Sequence, residues 1–264
     1  MSGAALALAL GAAFLHAGWN VALAGSRDTR ASTAGVLVFG GALLAPAALL
    51  FGDVSSDALP YIAASAVLEL CYFVLLARAY DGGEVSVVYP VARGSAPVVV
   101  LVAGAIALGE TVSAAAVVGV LVVSAGILAV APGLRGRDVL FGLAIGAAIA
   151  GYTLVDSEGI EHADPIAYLA LVTVPCAALY PAVTRTRPDV GVRSALTAAA
   201  TFGAYLLVLA ALERAPAAPV SAVRESSVVI AALLAAAVLH EPLGPRKLAG
   251  AIAVVAGVAA IAYS

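Results

Sequence analysis

Charge is scarce in this chain. Lys and Arg number 13 and Asp and Glu 16, together 11% of 264 residues. A soluble domain carries about 25% charged residues, so these few could not cover the surface of a water-soluble globule of this size. The net charge of −3 is small and comes with no basic block, and no nucleic-acid partner is expected. Cysteine is limited to Cys71 and Cys176, both inside apolar stretches. No His/Cys ligand spacing surrounds either, so both read as buried free thiols rather than a disulfide or a metal site. Histidine is limited to His16, His162 and His240, without an HExxH pattern, so no metal or other cofactor is expected. Glycine is plentiful at 26 but follows no three-residue period, which excludes a collagen-like chain.

What remains is apolar. The hydrophobic fraction is 63% and the mean hydropathy +1.09. Disorder needs the opposite composition, so the chain reads as an all-α integral membrane protein. A spanning helix takes about 20 apolar residues. Polar and Gly/Pro-rich breaks divide the sequence into ten such segments: 3–24, 32–52, 59–78, 86–108, 112–131, 138–156, 165–183, 194–212, 217–239 and 246–263. Their length, and the lack of alternation within them, favours helices over barrel strands. The run from Ala4 to Ala17 has no cation before it and continues past any small-residue cleavage point, so it reads as a retained first span rather than a signal peptide. Abundant Ala and Gly within the spans lets helix backbones approach closely.

The two halves resemble each other. At an offset of 131 residues, Arg93 meets Arg224, Ser95 meets Ser226, Glu110 meets Glu241, Gly119 meets Gly250 and Gly126 meets Gly257. Arg and Glu are rare here, so these coincidences point to duplication, with repeats over 1–131 and 132–264. Five spans per repeat put the second copy into the membrane upside down, an arrangement recurrent in secondary transporters. Loops joining odd-numbered spans to the next carry Arg27, Arg30, Arg78, Arg135, Arg137, Arg185, Arg187, Arg193, Arg246 and Lys247, whereas the even-numbered loops carry Arg214 alone. That bias places the odd loops in the cytoplasm and both termini outside.

Ionisable residues inside spans are costly and mark function. His16, Glu69, Arg93, Arg224 and Glu225 meet that description, with Asp156 near a span end. Glu69 with Arg93 could be a packing ion pair; Arg93 and Arg224, in matching positions, would both face a shared central cavity. Pro90 and Pro97 flank Arg93, Pro219 precedes Arg224, and Tyr89 sits one turn before Arg93. These prolines are expected to kink or interrupt the fourth and ninth spans and to act in gating. His16, Trp19 and Asn20 share one helical face, and a histidine can carry a coupling proton. Glu69 with Tyr72, and Tyr152 with Asp156, sit one turn apart, and Tyr205 adds a hydroxyl. Together they suggest an aromatic-lined cavity with polar tips. Tyr61, Tyr168 and Tyr263 read as interface anchors. Glu110 and Glu241 close their spans as LGE and LHE, as helix-end caps or as gate pairs.

HAGWN (16–20), LELCYFVLLARAY (68–80), VYPVARGSAP (88–97), LGETVS (108–113), GYTLVD (151–156), VSAVRESS (220–227) and LHEPLGPRKLAG (239–250) resemble the EamA-type branch of the drug/metabolite transporter superfamily, in order and over essentially the whole chain. The resemblance implies ten helices in two inverted five-helix repeats and ATP-independent transport of small metabolites, often efflux of amino acids or related solutes. One departure is LHEP at 239–242, where the family more often has LGE. Members are commonly drawn with both termini cytoplasmic, against the loop charges here.

The expected function is therefore secondary transport, in the direction of export, of anionic or zwitterionic solutes across the inner or plasma membrane. Its partners would be the solute, the bilayer and a coupling proton. A monomer is sufficient and a dimer possible. The alternative on the same fold is a flippase for a lipid-like substrate, which would open laterally between helices. A membrane-embedded enzyme would need a nucleophile with its base, or metal ligands, and the sequence offers no such motif.

Overall fold

The computed structural model describes residues 1–24, 28–82, 85–131, 136–239 and 244–264, and of residues 19–24, 51, 80–82, 85 and 234–239 the backbone alone. The side chains of Trp19 and Asn20, and all of His240 and Glu241, lie outside the described residues.

Among the described residues the chain folds into helices α1 (Gly3–Ala24), α2 (Thr29–Phe51), α3 (Leu59–Gly82), α4 (Val85–Ala103), α5 (Ala114–Val130), α6 (Arg137–Gly159), α7 (Pro165–Thr184), α8 (Val192–Leu212), α9 (Ala217–Arg224), α10 (Ser227–Leu239) and α11 (Pro245–Ala262). A 3₁₀ turn at Ser56–Ala58 leads into α3, and a π turn at Gly104–Leu108 continues α4. Among the described residues, seven helical stretches are long and apolar enough to cross a membrane; Gly3–Gly18 and Ala114–Val130 are apolar but shorter. The chain is a multi-pass membrane protein.

Short polar residues set the helix starts. Asp28, Ser113 and Asp164 accept hydrogen bonds from backbone N–H groups in the first turns of α2, α5 and α7, at 2.8–3.3 Å. The π turn ends at Gly109, whose φ of +66° is a conformation that side chains resist. Asp53 and Asp164, and Ser55 and His162, tie the α2–α3 loop to the α6–α7 loop through backbone hydrogen bonds of 2.8 and 2.9 Å. Tyr61 stacks on His162, with ring centroids 5.7 Å apart.

Helix packing respects the repeat. If α1–α5 are exchanged with α6–α8, α9/α10 and α11, the α4–α6 contact becomes α9/α10 against α1, α3–α6 becomes α8–α1, and α3–α7 becomes α8–α2. The contacts α2–α7, α5–α11 and α4–α9 map onto themselves, as a two-fold relation requires. Close approach at α5–α11 depends on glycine. A Cβ on Gly119 would lie 2.7 Å from the Gly257 carbonyl, and one on Gly126 would lie 2.9 Å from the Gly250 carbonyl. Position numbers rise on one helix as they fall on the other, so the two helices run antiparallel.

The expected interruptions are placed differently. Helix α4 continues through both Pro90 and Pro97, as membrane helices do where neighbouring groups compensate the freed backbone. Pro219 is the third residue of α9, where an N–H would have no intrahelical partner. The second-half span instead breaks at Glu225–Ser226, between α9 and α10. There the Glu225 and Ser226 N–H groups bond carbonyls three residues back, at 3.1 and 3.0 Å, the tighter winding that often marks a hinge.

Two further readings change. Cys71 is exposed, whereas Cys176 is buried as expected; the α3 face that carries Cys71 looks outward. Tyr168 is not an interface anchor. It is completely buried, because Gly159 leaves its ring the room: a Cβ there would come within 2.3 Å of it. Tyr263, at 94% exposed, does sit at the periphery.

Candidate functional site

Arg93 on α4 sits near the middle of a 19-residue helix, too deep for its side chain to reach water along the helix. Its charge is met from the other half of the chain. Nη1 donates to both carboxylate oxygens of Glu225, at 3.1 and 3.2 Å, and Nη2 contacts Nε2 of His16 on α1. The guanidinium also lies over the Tyr89 ring, 5.4 Å from its centroid. Arg93 is therefore not paired with Glu69. Glu225 is the nearer acid because α9 ends one residue before it and turns its side chain, fully buried, toward α4.

Arg224 ends α9 beside Glu225. Its Nε lies 3.6 Å from Glu225 Oε1, an ion pair without a hydrogen bond. Nε and Nη2 are buried with no hydrogen-bond partner, although the residue is only 3% exposed. A buried donor left unsatisfied costs about 1–3 kcal/mol, more if charged. The repeat thus delivers two arginines to one place, one with its acid and one with donors to spare.

Both arginines line a single cavity of about 60 Å³, shared with His16, Glu69, Tyr72, Tyr152 and Tyr205. That is room for a few water molecules. Phe73, Phe202, Leu169 and Val208 make its apolar side, and Thr201 adds a hydroxyl. Tyr152 stands edge-on between Tyr72 and Tyr205, with centroids 5.9 Å from each. Asp156, one turn along α6 from Tyr152, is completely buried. It accepts hydrogen bonds from Tyr168 at 2.9 Å and from Tyr205. Glu69, 7% exposed, faces the cavity without an ion pair or hydrogen bond among the described residues.

The structure therefore brings His16, Glu69, Tyr72, Arg93, Tyr152, Tyr205 and Arg224 around one space, with Asp156 and Glu225 directly behind. Tyr89 backs Arg93 without lining the space, and the buried Pro90 and Pro97 pack within α4. Sequence reasoning did not find Tyr168, Phe73, Phe202 or Thr201. Aromatic and threonine side chains inside apolar spans carry no signal of which way they face.

Glu110 caps a helix, though not its own. Its Oε1 accepts from the N–H of Ala217 at 2.9 Å, at the start of α9. The carboxylate sits where the helix dipole favours negative charge and fixes the half-helix whose far end presents Arg224 and Glu225.

The sequence profile of the EamA-like transporter family matches residues 3–131 and again 137–263. The chain belongs to the EamA-like transporter family. The double match gives one copy of the family unit in each half of this EamA-like chain and makes it a membrane transporter of the drug/metabolite type. No curated protein matches its sequence. One solved structure, described only as "Crystal structure of protein", aligns over 100% of this chain and 99% of its own, with a TM-score of 0.80 at 17% identity. At that identity the likeness speaks for the EamA-like fold alone.

Proposed function

We propose that the protein is a secondary transporter of the inner or plasma membrane that exports small anionic or zwitterionic metabolites, amino acids among them. The observation that carries this reading is Arg224, which lines the cavity and whose Nε and Nη2 have no hydrogen-bond partner among the described residues. A carboxylate entering the cavity would supply two acceptors to those donors, the bidentate arrangement that arginine favours. Arg93, already matched by Glu225, would hold the site's geometry and add positive potential. The tyrosines would bound the apolar part of the solute.

Transport would follow by alternating access. The two repeats, inverted in the bilayer and contributing five spans each over 1–131 and 132–264, would rock about the α4–α9 contact. The small cavity would be the occluded stage of that cycle. The cationic loops would face the cytoplasm.

The test is counterflow in proteoliposomes preloaded with a panel of amino and organic acids, comparing the parent with Arg224→Ala and Arg224→Lys. A charge-assisted hydrogen bond contributes about 1.5–3 kcal/mol, so Arg224→Ala should lower exchange of accepted solutes at least about tenfold. Arg224→Lys should recover part of it. Exchange at the parental rate in Arg224→Ala would refute the assignment.

A further inference from the structure

Glu69 lines the cavity and Asp156 lies directly behind it, and the structure treats the two carboxyl groups differently. Both oxygens of Asp156 are committed, one to the Tyr168 hydroxyl and one to the Tyr205 hydroxyl. Glu69, one helix away, is buried, lines the cavity, and has neither a donor nor a cation bound to it among the described residues. An ionised carboxylate enclosed without a partner is among the costliest arrangements in a protein interior. It is relieved by a bound proton or by another cation.

The surroundings decide between these. Helix α6 presents Asp156 and Tyr152 to Glu69, α7 presents Tyr168 and Cys176, and α8 presents Tyr205. Helix α2 carries no titratable side chain beyond Arg30 in its first turn, and the 3₁₀ turn before α3 offers Asp57, which is exposed. Arg93 and Arg224 share the cavity, but their ion pairs go to Glu225. Glu69 is thus faced by a second acid and by phenols, and no cation bonds to it. A metal cation would need several oxygen ligands turned toward it, yet Asp156 already spends its oxygens on two hydroxyls. A proton needs one oxygen. His16 is the weaker proton carrier, because its Nε2 is against the Arg93 guanidinium, where an imidazolium would face a fixed positive charge.

We propose that Glu69 is a proton-binding site in the central cavity, separate from the anion-attracting pole at Arg224, with Asp156 and its two tyrosines as positioning groups. The proposal rests on the transport reading only for the cavity being a pathway. A proton on Glu69 and a solute anion at Arg224 would then share one space, which lets each affect the other's occupancy.

Infrared difference spectroscopy of the reconstituted protein between alkaline and acidic buffer tests this without any solute. The parent should gain the carbonyl band of a protonated carboxyl group shielded from water. That band should be lost in Glu69→Gln, shifted but present in Glu69→Asp, and unchanged in Asp57→Asn. A band that survives in Glu69→Gln overturns the proposal, as does one governed by sodium chloride at constant pH. The unmodified protein gives a second measurement. A hydrophobic carbodiimide adds a carboxylic O–H across its C=N bond, and the acyl group then shifts to nitrogen as a stable N-acylurea, with no redox partner needed. Peptide mapping should find that adduct at Glu69, formed more at acidic pH. Mapping to other carboxyls and not Glu69 would overturn the assignment. Either failure leaves the Arg224 exchange experiment standing, so the two readings fail separately.

Discussion

The glycine contact between α5 and α11 makes a prediction whose sign is unusual. In a helix, Gly→Ala ordinarily stabilises, by about 0.5–1 kcal/mol. At Gly126 the added Cβ would lie 2.8 Å from Ala253 Cβ and 2.9 Å from the Gly250 carbonyl oxygen, where ordinary contact begins at 3.4 Å. The shortfall is against backbone and a methyl group, neither of which can swing aside, so the helices must part. Overpacking of this kind costs about 1–3 kcal/mol. Gly126→Ala should therefore destabilise by up to about 2.5 kcal/mol after the propensity gain is deducted. Gly203→Ala is the control, because its Cβ would meet nothing nearer than Leu15 Cδ1 at 3.9 Å, and it should stabilise. Unfolding in mixed micelles, followed by far-ultraviolet circular dichroism, gives both values. Because both variants carry the same propensity gain, their difference reports the steric cost alone. The double variant Gly126→Ala/Gly250→Ala should cost less than the sum of its parts, because the first Cβ already opens the approach that the second would violate. If Gly126→Ala is as stable as Gly203→Ala, the close antiparallel packing of α5 and α11 is wrong.

Three shorter predictions concern the site and its supports. Breaking a buried ion pair costs about 3–5 kcal/mol. Glu225→Ala should be worse than Arg93→Ala in the same unfolding assay, because it leaves two buried guanidinium groups uncompensated, whereas without Arg93 the acid still has Arg224 at 3.6 Å. Glu110→Ala removes the carboxylate that caps α9 and should cost about 1 kcal/mol; a larger loss than for Glu225→Ala would contradict a simple cap. Tyr168→Phe should cost about 1–3 kcal/mol by leaving one Asp156 oxygen unfilled in a dry place, and Gly159→Ala should match or exceed it by displacing the same ring. Parental stability in both would refute the Tyr168–Asp156 link.

The positions of the helices were legible because lipid imposes one rule on every segment: satisfy the backbone internally. Thus α1, read as 3–24, is Gly3–Ala24, and α8, read as 194–212, is Val192–Leu212. The charges inside spans were legible for the same reason. Pairing was not. Glu69 and Arg93 are both rare and both mid-span, but which acid an arginine meets depends on helix rotation and on which half reaches across. In an all-apolar span no amphipathic stripe reports that rotation. The break at Glu225–Ser226 was also hidden, because proline was the visible signal and it sits where a helix tolerates it, whereas the actual break lies in a Glu-Ser-Ser run. Tyr168 was misread because a tyrosine near a span end looks the same whether its ring turns to the interface or inward over a glycine.

The duplication explains what the two halves share, and one position explains what they do not. At the offset that matches Arg93 to Arg224, Glu225 corresponds to Gly94. Gly94 packs against α5, where a Cβ would already stand 2.7 Å from Leu128, so the first half has no room for an acid beside its arginine. The second half has that room because its helix is broken there, and it spends the single acid across the interface on Arg93. One carboxylate thus serves two arginines: it accepts hydrogen bonds from the distant one and leaves the adjacent one with open donors. A strictly symmetric pair of Arg-Glu units would have neutralised both guanidinium groups and left nothing for a solute. The asymmetry at Gly94 and Glu225 is what turns a repeated packing feature into a candidate binding pole, and it sets that pole on the half whose helix is already interrupted.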